Sequence, residues 1–413
     1  MRRFNRTAPP QPSYPNVTFS GHGFSAVVFL PDAERGYYRS SRYDWGSMIG
    51  NVQLEVPNGG GRVKLFTDVR PRPHRPLLSD HVLGLAAEFG CGVRGTLCSL
   101  GHGTHTLATN GVLGYGAAGK GGTFLKLGVG KLLRPCAPAF HAISNRNHPV
   151  LTCVPSTRVL NLSAFHRQKL RTDGFNYNFT WTYKVAEPPK WRVTRLEDGS
   201  GVILEQKLKH QRWGWNLRRK IYSCGKPDKR PTLCVDLTLT NTGEQQLRTP
   251  YASGNAFNLA AGPATGPRFA VSFNVPGSAY HYDHGSGPNP WSVPMPDIAD
   301  MTTRTGLGTS KIIVKRAIAE HEHASVNFNV TNTTPAWDGR YMVTMPAAKG
   351  WNLNVRHSLW RDAAARRSGW YGFNVRISRR AVAPRPFLLF DLQPGETVDI
   401  SHRYEFEWKP VLV

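Results

Sequence analysis

The sequence predicts a mainly β protein built as a large antiparallel sandwich, and three observations carry that prediction. Segment after segment alternates apolar and polar residues with a period of two, the mark of strands that bury one face. Gly 41 and Pro 31 in 413 residues punctuate the chain too often for long helices and imply many turns. No amphipathic stretch longer than three helical turns interrupts the pattern.

Residues 1–23 carry no acidic side chain and no signal-peptide apolar region. They read as an arm, disordered or leader-like, ahead of a single domain over 24–413. A first strand is expected at 24–30 and a turn at 32–36. The next stretch, 36–46, reads G-Y-Y-R-S-S-R-Y-D-W-G. Its aromatics, with Arg42 and Asp44, either stack on a sugar ring and hydrogen-bond its hydroxyls, or form a strand edge with a satisfied Arg–Asp pair. Residues 58–76, rich in Pro and Arg, read as an inserted loop. The run 83–92, L-G-L-A-A-E-F-G-C-G, sets one carboxylate, Glu88, among small and apolar residues. A carboxylate buried there needs a partner, so Glu88 is a candidate site residue; the alternative is a surface Glu on a short helix.

Two motifs resemble known chemistry and fail on context. Gly101-His102-Gly103-Thr104-His105-Thr106 is similar to the histidine motif of subtilisin-like proteases. That chemistry also needs a G-T-S-x-A-x-P nucleophile opening a helix, whereas G-T-S at 308–310 runs into K-I-I-V-K, a strand. Gly114 and Gly119-Lys120 match a phosphate loop until Gly121 stands where the magnesium-binding Ser or Thr should be.

From 124 onward strand signals recur at 177–183, 202–208, 219–222, 233–240, 269–275, 311–316, 326–330, 341–345, 387–392 and 398–408. In 233–240, Leu233, Val235, Leu237 and Leu239 share one face; in the last strand Val398, Ile400, His402, Tyr404, Phe406 and Trp408 do. Between these lies 251–267, Y-A-S-G-N-A-F-N-L-A-A-G-P-A-T-G-P, following the N-T-G turn at 241–243. It reads as a loop, either an amide-bearing binding segment held by a rigid strand or a connection with no task. An irregular insertion is expected at 280–309. In E-H-E-H at 320–323, His321 and His323 share one strand face and can reach a common ligand or metal; the alternative is a plain polar face.

Lys+Arg 52 against Asp+Glu 27 gives a net charge of +25, which brings anionic partners into question. The cations are spread over 70–75, 207–220 and 361–380, which argues for a basic surface and against a dedicated nucleic-acid arm. Six cysteines without a C-x-x-C pair exclude a zinc ribbon and permit disulfides. No apolar run reaches membrane-spanning length, so a soluble chain without a membrane partner is expected. N-x-S/T sequons at Asn16, Asn161, Asn178, Asn329 and Asn332 fit secretion, while the cytoplasm is preferred over plastid or secreted placement. No cofactor is expected.

One resemblance spans most of the chain. N-T-G at 241–243 followed by F-N-L-A-A-G at 257–262, and L-Q-P-G-E at 392–396 followed by Y-E-F at 404–406, resemble the aldose 1-epimerase (galactose mutarotase) family. G-Y-Y-R-S-S-R-Y-D-W, L-G-L-A-A-E-F-G and L-K-L-G-V-G are similar to an uncharacterised bacterial branch of that superfamily. The resemblance implies a β-supersandwich whose concave face holds a sugar, with a histidine protonating the ring oxygen and a glutamate taking the anomeric proton. The family's histidine falls on Gly254, or on Asn255 in the neighbouring register, and its glutamate belongs to 370–385, which contains no Asp or Glu. The implied function is therefore a carbohydrate-binding protein, or a sugar isomerase with relocated groups, Glu88 and His323. Arg42, Asp44, Asn255, Phe257, Asn258 and His321 would line the sugar site. The alternatives are a non-catalytic sugar binder and a basic scaffold for anionic polymers.

Overall fold

A computed structural model describes residues 14–66, 84–90, 112–134, 150–151, 182–226, 228–259, 265–274, 280–282, 293–304, 309–319, 322–329, 339–347, 350–367 and 371–411. Two ten-stranded sheets dominate them. The first runs β1 (Asn16–Gly21), β2 (Phe24–Phe29), β3 (Ile49–Glu55), β5 (Gly84–Phe89), β15 (Leu247–Ala256), β24 (Ala381–Leu392), β23 (Tyr371–Ser378), β20 (His323–Asn329) and β17 (Tyr280–Tyr282), with β4 (Arg62–Lys64) on β3. The second runs β11 (Trp191–Arg195), β12 (Gly201–His210), β13 (Trp213–Ser223), β14 (Thr232–Asn241), β25 (Thr397–Pro410), β22 (Trp351–Arg361), β21 (Tyr341–Pro346), β16 (Ala270–Asn274), β19 (Thr309–Val314) and β18 (Ala299–Arg304). A small sheet joins β6 (Thr123–Lys126), β7 (Gly130–Leu133) and β10 (Val185–Glu187), while β8 (Val150–Leu151) and β9 (Thr182–Tyr183) form a short parallel pair.

The alternation read from the sequence sets the core. Leu233, Val235, Leu237 and Leu239 of β14 and Val398, Ile400, Tyr404 and Phe406 of β25 are buried on one side. They meet Leu85, Ala87 and Phe89 of β5, Tyr251 of β15 and Val382, Leu388 and Phe390 of β24 in one continuous cluster. Its members come from both large sheets, so the main core lies between them and each large sheet has an inner and an outer face. Cys224 and Cys234 form a disulfide that ties the end of β13 to β14.

Several expectations are corrected. Residues 16–21 are no arm: Val17 and Phe19 are buried and β1 pairs with β2 along its whole length. Residues 251–256 are no loop but half of β15, a central strand hydrogen-bonded to β5 and β24. Glu88 lies in a buried strand, not on a helix. The insertion at 280–309 contributes β17 to one sheet and β18 to the other, with a short helix Met295–Ile298 before β18. In the inserted stretch 58–76, residues 62–64 form β4; 67–76 lie outside the described residues. The stretch 114–121 forms turns ahead of β6 rather than a phosphate loop between strand and helix. The G-H-G-T-H motif lies outside the described residues.

Candidate functional site

Everything at the centre of the first sheet follows from which way each β15 side chain points. Tyr251, Ser253, Asn255 and Phe257 face the core between the sheets; Ala252, Gly254 and Ala256 face outward. On β5, Leu85, Ala87 and Phe89 point inward, leaving Ala86 and Glu88 outside. Asn255 and Glu88, expected to line one sugar site, therefore stand on opposite faces of the sheet.

Inside, the polar residues satisfy one another. Asn255 Nδ2 donates to Tyr341 Oη at 2.6 Å, and its Oδ1 accepts from Tyr404 Oη at 3.0 Å and Ser253 Oγ at 2.9 Å. A second path starts at Arg219, whose guanidinium pairs with Asp44 and hydrogen-bonds Tyr251. Tyr251 Oη lies 3.0 Å from His402 Nε2, His402 Nδ1 lies 2.9 Å from His357 Nε2, and His357 Nδ1 lies 2.9 Å from the carbonyl of Gly339. Burial holds both imidazoles neutral, His357 down at about 3 and His402 well below the usual histidine range, the latter helped by His357 and Arg219. Burial also pushes the Tyr251, Tyr341 and Tyr404 hydroxyls up, so all three remain protonated. Phe257 is fully buried and packs against Phe66 and Tyr341, with ring centroids 6.0 and 6.3 Å away, so it is a core residue and no sugar platform.

The segment 36–46 resolves into ion pairs, with partners other than those expected. Tyr37, Tyr38, Tyr43 and Trp45 are buried with Tyr115, Phe124 and Tyr183 in a second core beside Ala86. No ring of this group is open to stack on a sugar. Arg42 Nε lies 3.2 Å from Glu88 Oε2, with Lys126 Nζ 4.0 Å from Oε1, and all three residues are buried. Asp44 instead meets Arg219 and accepts from Gly46 N at 2.9 Å. The backbone of Gly128, at φ +73°, passes so close to the Asp44 carboxylate that a Cβ there would collide with it.

On the outer face the sheet presents small side chains flanked by polar ones. Ala256, Ala381 and Ala383 pack together next to Gly254. Beyond them β24 contributes Arg385, β23 contributes Asn374, Arg376 and Ser378, and β20 contributes His323 and Ser325. Arg376, Arg385, Ser378, His323 and Ser325 are half-buried. His323 and Glu88 share this face, yet four strand spacings of about 4.8 Å separate β5 from β20, roughly 19 Å across the sheet. An acid and a base serving one sugar ring must both come within hydrogen-bond reach of it, so this pair cannot act together. Asn258 lies beyond the end of β15 and donates to the Arg380 carbonyl. His321 lies outside the described residues. Among the described residues no cluster of three or more His, Cys, Asp or Glu is placed to hold a metal ion.

The outer-face arginines have a sequence signal, a segment 370–385 with several Arg and no Asp or Glu, but only the strand register shows which of them share a face. The sequence placed His402 and Tyr404 on one face of the last strand, and the signal for their role was there: two polar rings in a row of core residues.

What these features define is a large two-sheet antiparallel β protein with a polar-flanked outer face on one sheet. No family model matches the chain, and no curated protein matches it. Among solved structures it is similar to a galactose mutarotase-like protein from Lactobacillus casei ATCC 334 at 10% identity, covering 95% of this chain and 100% of that one with a TM-score of 0.45. It is similar to a GalM/aldose epimerase homologue from C. elegans at 11% identity, covering 96% and 99% with a TM-score of 0.42. A galactose mutarotase-like protein from Clostridium acetobutylicum matches at 10% identity, covering 95% and 94% with a TM-score of 0.42.

Proposed function

We propose that this chain is a carbohydrate-binding protein that receives its ligand on the outer face of the first sheet and does not open the sugar ring. The observation that carries the reading is the composition of that face: a floor of Gly254, Ala256, Ala381 and Ala383 beside the half-buried polar side chains of β20, β23 and β24. A few fixed donors at the edge of a small-residue floor can orient hydroxyls. Ring opening would require an acid and a base on either side of one bound sugar. Gly254 offers no imidazole, Glu88 is held by Arg42 and Lys126, and His323 is strands away from it.

Titration of the purified chain with neutral and acidic monosaccharides by calorimetry, followed by polarimetry on each sugar that binds, tests this reading. Saturable binding without accelerated mutarotation is expected. Acceleration over buffer would replace the binder with an isomerase, and binding only to polyanions, with a steep salt dependence, would replace it with a basic scaffold.

A further inference from the structure

The outer face of the second sheet holds one aromatic side chain in the open. In β22, Val355, His357 and Leu359 enter the core, so Ser358 and Trp360 point outward. In β25, Val398, Ile400, His402 and Tyr404 do, so Asp399, Ser401 and Arg403 point outward; the same alternation in β14 turns Asp236 and Thr238 out. Trp360 is 58% exposed. Among the described residues the only other exposed large apolar side chain is Val193, on the edge strand β11 of the same sheet, five strands from β22. An indole ring standing in water on a sheet face is a ready contact surface, because such rings contribute most when a partner covers them.

The groups around the ring define what suits it as a partner. Ser401 stands directly opposite Trp360, which puts Asp399 and Arg403 at the diagonal positions, within reach of a large side chain. One strand further on, Asp236 is opposite Ser401 and Thr238 is opposite Asp399. The Ser401 hydroxyl donates to Asp236 Oδ1 at 2.6 Å, and the Thr238 hydroxyl to Asp399 Oδ1 at 2.5 Å. No Lys or Arg among the described residues forms an ion pair with either carboxylate; Lys220, opposite Asp236, instead holds its Nζ 4.1 Å from the centre of the Tyr222 ring. A carboxylate has about four lone-pair sites, so both keep acceptor capacity, while the exposed Arg403 supplies donors.

A lipid surface or a protein partner needs a broad apolar area, and here that area is one ring wide. A pyranose matches it: the C–H bonds of one face cover an aromatic ring, and the hydroxyls around its rim both donate and accept. The polar positions continue over two strand spacings, about 10 Å, which is more than one sugar ring covers. We propose that the outer face of the second sheet binds a neutral glycan chain, with Trp360 as the stacking platform and Asp399, Asp236 and Arg403 as hydrogen-bonding partners of its hydroxyls. This site is separate from the face of the first sheet, and either reading can fail alone.

The full chain is titrated by calorimetry with cellohexaose, xylohexaose, mannohexaose and maltohexaose, alongside Trp360→Ala, Trp360→Tyr and Asp399→Ala. At least one hexaose is expected to bind saturably. Trp360→Ala should weaken it about ten-fold or more and Asp399→Ala several-fold, while Trp360→Tyr, which keeps a ring, should stay within about three-fold of wild type. Trp360 is exposed, so Trp360→Ala should melt at the wild-type temperature; if it does not fold, Trp360→Gln takes its place. A monosaccharide held by the first sheet should bind Trp360→Ala as it binds wild type. Loss of monosaccharide and hexaose together in Trp360→Ala supports this site and overturns the placement on the first sheet. No binding by any hexaose, or equal binding by wild type and Trp360→Ala, overturns the glycan site and leaves the first-sheet reading standing. Binding of poly-lysine in place of the hexaoses, lost in Asp399→Ala, overturns it in favour of a cationic partner.

Discussion

His402 Nδ1 and His357 Nε2 lie 2.9 Å apart, and the bond between them can run only one way. His357 Nδ1 faces the carbonyl of Gly339, which only accepts, so that nitrogen carries the proton and Nε2 is left as the acceptor. His402 must then donate from Nδ1 and accept at Nε2 from the Tyr251 hydroxyl, whose oxygen is free to accept from Arg219. Each tautomer is thus fixed by its neighbour, from Arg219 to Gly339.

This arrangement predicts acid lability. Both imidazoles have folded pKa values below the unfolded value, His357 at about 3, so the unfolded chain binds more protons wherever they differ. Their contribution is fully present above the unfolded histidine pKa of about 6.5 and is lost as pH falls from there toward 3, each titrating group costing about 1.4 kcal/mol per unit. Melting temperature should therefore fall steadily below pH 6.5. His402→Gln and His357→Gln, though less stable at pH 7, should each show a shallower fall. A parallel fall in wild type and both variants would contradict the assignment.

How much of this was legible in the sequence depends on which property each residue advertises. Alternation in 233–240 and 398–408 gave strand, face and core membership directly, because a half-buried strand has to alternate. Residues 251–256 hid their strand: a central strand with one face packed in a core and the other lined by small residues shows Ser, Gly, Asn and Ala, the composition of a loop. Ion-pair partners were not legible. Arg42 and Asp44 are two residues apart, yet one reaches β5 and the other β13, and only the fold sets those contacts. The excess of Arg over Asp and Glu in 370–385 is visible in the sequence, but only the strand register sets Arg376 and Arg385 on one face.

Glu88 is expected to matter for folding. Glu88→Gln keeps the shape but leaves Arg42 and Lys126 buried and short of one anion, a loss of about 3–5 kcal/mol in urea unfolding. Adding Lys126→Met should restore part of it. If Glu88→Gln unfolds like wild type and instead abolishes ligand binding, the carboxylate belongs to a site after all.

Asn255 gives a second contrast between structural and ligand roles. Asn255→Leu strips Tyr341, Tyr404 and Ser253 of a shared partner inside the core, and unsatisfied buried hydroxyls cost about 1–3 kcal/mol each when they find no substitute. A destabilisation of roughly 2–4 kcal/mol is expected, with sugar affinity of the remaining folded protein unchanged. Loss of affinity at full stability would put Asn255 in contact with ligand.

Gly254 tests whether catalysis can be put back. It stands where the resemblance expects the proton donor, and its outward side is hemmed in: a Cβ would lie 3.0 Å from the Ala86 carbonyl oxygen and 3.7 Å from the Tyr43 ring. An imidazole must push against β5 and the buried aromatic cluster, so Gly254→His should cost about 1–3 kcal/mol through overpacking. Among the described residues, Glu88 is held in its ion pairs and His323 lies three strands from β15, so neither serves as its base. The expected result is a folded, less stable protein with no mutarotase activity by polarimetry. Measurable acceleration by Gly254→His alone would mean that a base already stands ready on this face, and the non-catalytic reading would have to be given up.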